Sequence, residues 1–358
     1  SVLQTIKKED LEKKASIFPM MDGLVFNPSQ PYGHKGKSFQ GESFYLAENP
    51  PIGATIRYYL KDDYKSLKDK RKELEKEKIK NNQAVVYPSK DSMRLEDNEE
   101  APYTMMVITD EQGNDIRKIK QSATKGMKQV VWDGRLELTS PVSFYTPDPN
   151  NPYESDEQGP VALPGKYVAQ LVKVENGVLE NLSDKVSFNL TTLSNSTLPE
   201  VDKAKLLAAN KSLGEFRRVV LGTNQFMGSM NERIKFLKAG IQKGPSTSMT
   251  YMAELKAIEK QLKENDIAMH GDGSLAKREF ETLSGIVGSV ETIVGGTWNQ
   301  SLGMTGTFEE KLTEIKPKFK TVYDSVYDLN AKLIALENKL EELKLPSTPG
   351  RLPKWNGQ

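Results

Sequence analysis

The chain has 358 residues, and its 50 basic and 49 acidic side chains leave a formal net charge of +1. A typical domain has roughly 100 to 200 residues, so this length predicts two domains. Near-balanced charge gives no overall field that would attract nucleic acid or an anionic membrane, and we predict no nucleic-acid partner. No apolar run approaches the roughly 18 residues that a membrane span requires, so no direct membrane span is predicted.

The residue types that most often carry chemistry are scarce. The chain has no cysteine, which excludes disulfides and thiolate sites, and its two histidines are His34 and His270. Two isolated histidines give little scope for a catalytic relay or a zinc site, and no phosphate-binding glycine motif occurs. The sequence therefore predicts no catalytic residue, no cofactor and no metal site, and by itself it specifies no activity.

Residues 1–42 lack a sustained hydrophobic period, and prolines and glycines interrupt their apolar runs. This composition predicts an extended connector. The chain begins at Ser1 without a methionine or a signal peptide, which favours a fragment of a longer protein. We interpret residues 1–42 as a connector from a preceding domain that this chain does not contain.

Residues 43–195 contain short segments rich in β-branched and aromatic residues, separated by turn residues. This pattern predicts an antiparallel β-sandwich. Residues 61–82 interrupt it with a dense run of Lys and Glu, which predicts a solvated helical insert, with a charged docking arm as the alternative. The predicted strands are 44–46, 54–60, 103–109, 116–119, 126–132, 167–174 and 186–190.

A long loop at 139–164 is rich in Pro, Asp and Asn. Long loops in compact domains often carry function, so this loop is the candidate ligand site. A paired-carboxylate site or a calcium site are alternatives to a plain solvated loop. The candidate ligand residues are Tyr145, Asp148, Tyr153, Glu154 and Asp156.

Residues 196–345 carry apolar residues at alternating spacings of three and four, which predicts an antiparallel bundle of long helices, and 346–358 form a tail. The last helix is predicted to bend at Pro317 or to start near it. Pairing of its stripe between two chains is an alternative to packing within one chain. One stripe runs from Leu206 through Leu213, Phe216 and Val220 to Ile241; the other comprises Leu312, Ile315, Phe319, Val322, Val326, Leu329, Leu333, Leu336 and Leu340.

Several of these segments together resemble a known family. The run Ala47-Glu48-Asn49-Pro50-Pro51, with the residues that follow it, resembles the segment after the β-propeller in bacterial sortilin-like proteins, often labelled BNR-repeat glycosyl hydrolases. The tail Thr348-Pro349-Gly350-Arg351 is also similar to that family. An Ig-like domain similar to that of the flagellar hook-capping protein is indicated by Val107, Asp110, Gly113, Arg117, the run from Gly126 to Arg135, and Pro164, Gly165 and Tyr167.

The resemblance implies the C-terminal region of an exported bacterial protein, located in the periplasm, at the cell surface or outside the cell. The propeller that would carry any enzymatic activity would precede Ser1, so the family's enzyme label is not transferred. We expect a noncatalytic structural or protein-interaction module whose partner is another protein or its own propeller. The alternative is a carbohydrate-binding or glycosidase-associated accessory module.

Overall fold

A computed structural model of the chain describes residues 6–26, 41–43, 45, 47, 49–148, 150–151, 154, 157–193, 201–300, 303–355 and 357. The content is mixed, with strands in two sheets and several helices, two of them long. The chain divides into two compact units. The strand unit comprises Ser1–Leu138 and Pro147–Pro199, and the helical unit comprises Thr139–Thr146 and Glu200–Gln358.

The strands of the strand unit form one three-stranded sheet and one six-stranded sheet. The smaller sheet has the order β1-β3-β6, and the larger has the order β2-β9-β7-β4-β5, with β8 also paired to β7. The strands are β1 Ala15–Ile17, β2 Gly23–Val25, β3 Ala54–Leu60, β4 Tyr103–Asp110, β5 Asp115–Gln121, β6 Gly126–Trp132, β7 Gly165–Glu175, β8 Val178–Asn181 and β9 Val186–Thr192.

Pairing in these sheets differs from the prediction at one edge. β2 runs parallel to β9, with Gly23 opposite Leu190, whereas the other named strand pairs are antiparallel. The prediction of a purely antiparallel arrangement is therefore wrong at this edge. Both β1 and β2 also lie inside the segment predicted as a connector, because a three-residue strand is too short to show a period.

Aromatic side chains join the two sheets. The Trp132 ring of β6 makes edge contacts with Tyr167 of β7 and Phe188 of β9, at centroid distances of 4.9 and 5.9 Å. The Trp132 indole N–H donates to the Arg135 carbonyl at 2.9 Å, and the Tyr167 hydroxyl donates to the Leu163 carbonyl at 2.6 Å. Burial raises the pKa of Tyr167 to about 12. Both the Trp132 and the Tyr167 side chains are buried.

The strand unit contains more helix than the sequence predicted. The strand unit includes α1 Lys8–Glu12, α2 Leu67–Lys80 and α3 Lys90–Asn98. Only α2 lies in the predicted insert at 61–82. α3 was missed because its nine residues follow Pro88 and carry few apolar side chains.

The helical unit is built from long helices that contact one another. α4 packs against α5, α7 and α8, and α5 packs against α8. Asp202 caps α4 by accepting from the backbone N–H groups of Ala204 and Lys205, and Thr305 caps α8. The helices are α4 Lys203–Lys243, α5 Met252–His270, α6 Gly273–Ala276, α7 Ile286–Trp298 and α8 Gly306–Glu342, with a 3₁₀ helix at Ser246–Tyr251.

The predicted stripe of α8 is buried almost throughout. Pro317 lies within the helix, eleven residues after its start at Gly306, so the predicted start near Pro317 is wrong. Proline removes one backbone hydrogen bond, and burial of Ile315 and Phe319 on either side helps to keep the helix continuous. The buried stripe positions are Ile315, Phe319, Val322, Val326, Leu329, Leu333, Leu336 and Leu340.

Two glycines with similar backbone conformations provide a matched test of the packing around Trp132. Gly53 has φ +89° and Gly113 has φ +86°, but a Cβ on Gly53 would overlap the Trp132 carbonyl, whereas one on Gly113 would meet nothing within 4 Å. We expect Gly113→Ala to lower the free energy of unfolding by about 1 kcal/mol. Gly53→Ala should lower it by about 1–3 kcal/mol more.

Scanning calorimetry of the wild-type chain and both variants measures these losses. Equal losses for Gly53→Ala and Gly113→Ala would show that the close approach of Gly53 to Trp132 contributes nothing to stability.

Candidate interaction surface

The residues of the predicted ligand loop fall in different parts of the fold. Tyr145 belongs to the helical unit, whereas Asp148 and Glu154 belong to the strand unit. Tyr153 and Asp156 lie outside the described residues. A common ligand site formed by the five residues therefore stays a prediction.

Asp148 and Glu154 accept hydrogen bonds from their own loop. A carboxylate oxygen of Asp148 accepts from the Asn150 backbone N–H at 2.9 Å. The Glu154 carboxylate accepts from the Asp148 backbone N–H at 2.9 Å and from the Asn151 amide at 2.8 Å. These bonds fold the loop upon itself, which is a structural role. Within the described ranges, no group of three or more His, Cys, Asp or Glu side chains is placed to hold a metal ion.

The residues just before this turn expose large apolar side chains. We name residues 141–146 the exposed segment; it contains no helix or strand. Phe144 is 98% exposed, Val142 is 84% exposed and Tyr145 is 69% exposed. Single exposed apolar residues are common on protein surfaces, whereas several large ones close together in sequence are a candidate for an interaction site. The exposed segment is therefore the candidate functional surface.

A buried arginine anchors the start of this segment. Arg217 of α4 is 5% exposed, and its guanidinium donates to the Ser140 hydroxyl. The same guanidinium makes a two-point contact with the Glu291 carboxylate of α7, at 2.8 and 3.1 Å, and lies 5.9 Å from the Trp298 ring centre. A planar guanidinium with several N–H groups can serve these partners together, which an ammonium cannot.

Gly214 allows the anchored residues to approach α4. Its carbonyl accepts from the Thr139 hydroxyl at 3.3 Å. A Cβ at Gly214 would lie 3.3 Å from the Trp298 ring and 3.8 Å from the Thr139 hydroxyl oxygen. Glycine weakens a helix on propensity alone. At Gly214 the absence of a side chain leaves room for the Trp298 ring and for the Thr139 side chain.

Sequence reasoning missed Arg217. It lies four residues after Leu213 and three before Val220, both buried, so its position falls on the core face of α4. The predicted stripe passed instead through Phe216, which is only partly buried. A charged residue at core spacing was the available signal, because arginine is rarely buried without partners.

Comparison with known proteins adds no relationship: no protein-family model, curated protein or solved structure matches this chain. Among the helices of the described residues, none is long and apolar enough to cross a bilayer.

Arg217 and its neighbour Arg218 give a matched test of the anchor. Arg218 pairs with Glu215 at the surface of the same helix, and both of its carboxylate contacts are exposed. We expect Arg217→Lys to lower the free energy of unfolding of the helical unit by about 1–3 kcal/mol, because a buried two-point contact is lost. Arg218→Lys should change it by less than about 0.5 kcal/mol.

The measurement is urea unfolding followed by circular dichroism at a helical wavelength. If the two variants unfold at the same urea concentration, Arg217 is not an anchor.

Proposed function

We propose that this chain is a noncatalytic structural or protein-interaction module from the C-terminal region of an exported bacterial sortilin-like propeller protein. The observation that carries the interaction role is the exposed segment, with Val142, Phe144 and Tyr145 presented to solvent. The link to sortilin-like proteins rests on the sequence motifs at 47–54 and 348–351.

The architecture that belongs to this proposal is an Ig-like β-sandwich followed by an antiparallel helical bundle. Contact of Trp132 in the smaller sheet with Tyr167 and Phe188 in the larger sheet supports face-to-face packing of two sheets. Packing of α4 and α5 against α8 supports a bundle.

The energetics of the exposed segment favour a partner that covers it. Complete burial of a side chain such as Val or Phe is worth about 1.5–3 kcal/mol relative to exposure. Aromatic side chains are also the ones that most often dominate interface energies. Because Arg217 already holds Ser140 in place, binding would lose less chain entropy than it would with an unattached loop.

We propose no catalytic role for the loop carboxylates or for the histidines. The Asp148 and Glu154 carboxylates accept bonds within their own turn. His270, at the end of α5, has its Nε2 atom 2.7 Å from the Asn224 side-chain oxygen, and His34 lies outside the described residues. A purified chain that turns over a substrate specifically would overturn the noncatalytic assignment.

A carbohydrate-binding or glycosidase-associated module is the second candidate. The exposed ring of Tyr145 favours it, because sugar rings stack on aromatic faces. Titration with envelope polysaccharides tests it with a Tyr145→Ala control. Saturable binding that this substitution abolishes would support the candidate, and the absence of saturable binding would remove it.

The protein-interaction role is tested with Phe144→Ser in the full chain. Leu283→Ser is the control, because Leu283 is equally solvated in another part of the helical unit. The immobilised chains are incubated with envelope extract of the source cells, and bound proteins are quantified by mass spectrometry. Loss of a central aromatic anchor should weaken binding about 30-fold or more.

We expect a partner that wild type and Leu283→Ser retain and that Phe144→Ser loses. When that partner is purified and titrated, wild type and Leu283→Ser should bind it more tightly than Phe144→Ser does. Equal retention by Phe144→Ser would show that the exposed segment is not the binding surface. Recovery of no partner would contradict a protein-interaction role.

A further inference from the structure

The charged insert forms a helical arm that has no core of its own. We name residues 65–99 the arm; it contains α2 and α3, and neither helix has a buried residue. A 14-residue helix is near the length at which an isolated helix is marginal in water. Contacts other than apolar burial must therefore support the arm.

Those contacts lie at one end of the arm. Arg71 of α2 donates to both carboxylate oxygens of Glu96 in α3, at 2.6 and 2.8 Å, and also to Glu75 at 2.7 Å. The hydrogen bond from Arg71 holds the pKa of Glu96 below its ordinary value. Glu99 accepts from the Leu67 backbone N–H at 2.6 Å. The first turns of α2 are thus tied to the last turns of α3.

The opposite end of the arm exposes several apolar side chains to solvent. We name residues 76–90 the arm tip; all of them except Pro88 are exposed. Val86 is 77% exposed and Tyr87 is 80% exposed, and Ile79 and Val85 are exposed beside them. At a rise of 1.5 Å per residue, Lys80 lies about 14 Å along α2 from Arg71.

Lysines flank these apolar residues in the sequence. The arm tip contains four exposed lysines and one acidic residue, Glu77. Within the part of the chain that the structure describes, none of the four lysines forms an ion pair. The arm tip therefore carries a local excess of three positive charges on a chain whose net charge is +1. The lysines are Lys76, Lys78, Lys80 and Lys90.

We propose that the arm tip docks on the surface of a bilayer that contains anionic phospholipid. Val85, Val86 and Tyr87 enter the headgroup region, where aliphatic side chains leave water and a tyrosine ring keeps its hydroxyl hydrated. The lysines contact lipid phosphates through ammonium groups on long apolar stems. The complementary charge of the arm tip identifies this occupant.

The shape of the arm tip favours a bilayer over a folded protein. Three consecutive large side chains, at positions 85, 86 and 87, are all exposed. These three residues belong to neither a helix nor a strand. A fluid headgroup layer surrounds such a segment from every side, whereas a protein surface without a matching cleft covers only one.

The charge requirement is tested by binding of the full chain to sedimented vesicles. We expect binding to phosphatidylcholine vesicles that contain phosphatidylglycerol, none to pure phosphatidylcholine, and weaker binding as salt screens the charges. Each lysine near an anionic surface contributes about five-fold in affinity, so Lys78→Gln with Lys80→Gln should reduce binding about 25-fold. Lys235→Gln with Lys332→Gln, which removes two exposed lysines of the helical unit, should leave it unchanged.

Insertion is tested by site-specific fluorescence. The chain has no cysteine, so Val86→Cys places one environment-sensitive label at the arm tip. Leu283→Cys is the control, at a position that is 92% exposed in the helical unit. We expect the emission at position 86 to shift to shorter wavelength with phosphatidylglycerol vesicles, and the emission at position 283 to stay the same.

Three outcomes would overturn the proposal. The first is failure of the wild-type chain to bind phosphatidylglycerol-containing vesicles at low salt. The second is binding of the Lys78→Gln and Lys80→Gln double variant as tight as that of wild type. The third is an equal emission shift for labels at positions 86 and 283. Circular dichroism of each variant confirms that these exposed substitutions leave the fold intact.

Discussion

Burial of one apolar stripe on each long helix is the constraint on which the helical unit depends. α4 contains Gly214, Gly222 and Gly228, and α8 contains Pro317. On propensity alone these residues weaken helices of 41 and 37 residues. The stripes compensate, because tertiary burial contributes more to helix stability than propensity does. The same packing brings Arg217 beside Glu291 and Trp298, and this arrangement holds Ser140 at the start of the exposed segment. The position of the start of the exposed segment is thus a consequence of the helix packing.

Sequence patterns predicted the elements whose period is long enough to measure. The bounds of β3 and β6 agree with prediction, and the stripe of α8 is buried from Ile315 to Leu340. β1 and β2 were missed because three residues show no period, and the direction of β2 is set by β9, which lies far away in sequence. Pro317 misled the prediction of the start of α8, because a local penalty was given more weight than the burial on both sides. Local signals predict elements, whereas pairing between distant segments does not follow from them.

Contacts between residues far apart in sequence also limited the prediction of the candidate surface. The ligand loop that composition indicated stays a prediction, and of its candidate residues Tyr145 lies in the exposed segment. The two described carboxylates accept hydrogen bonds in their own turn, which the composition of the loop did not indicate. The residue that positions the segment, Arg217, is 77 positions from Ser140 and 74 from Glu291. A local sequence pattern does not indicate a contact between residues that are so far apart in the chain. Only the core spacing of Arg217 on α4 indicated that it would have buried partners.

The arm shows why net charge is a weak guide to what a surface attracts. Balanced composition argued against an anionic membrane on the basis of a charge summed over 358 residues. Exposed charges, however, act over a Debye length of about 8 Å at physiological ionic strength. Charges farther than this from the arm tip are largely screened, so its four lysines and one glutamate matter more there than the sum over the whole chain. The ion pair between Arg71 and Glu96 lies at the far end of the arm. Within the described residues, the lysines of the arm tip form no ion pair. A local excess of positive charge beside exposed apolar side chains is therefore compatible with a chain that is nearly neutral as a whole.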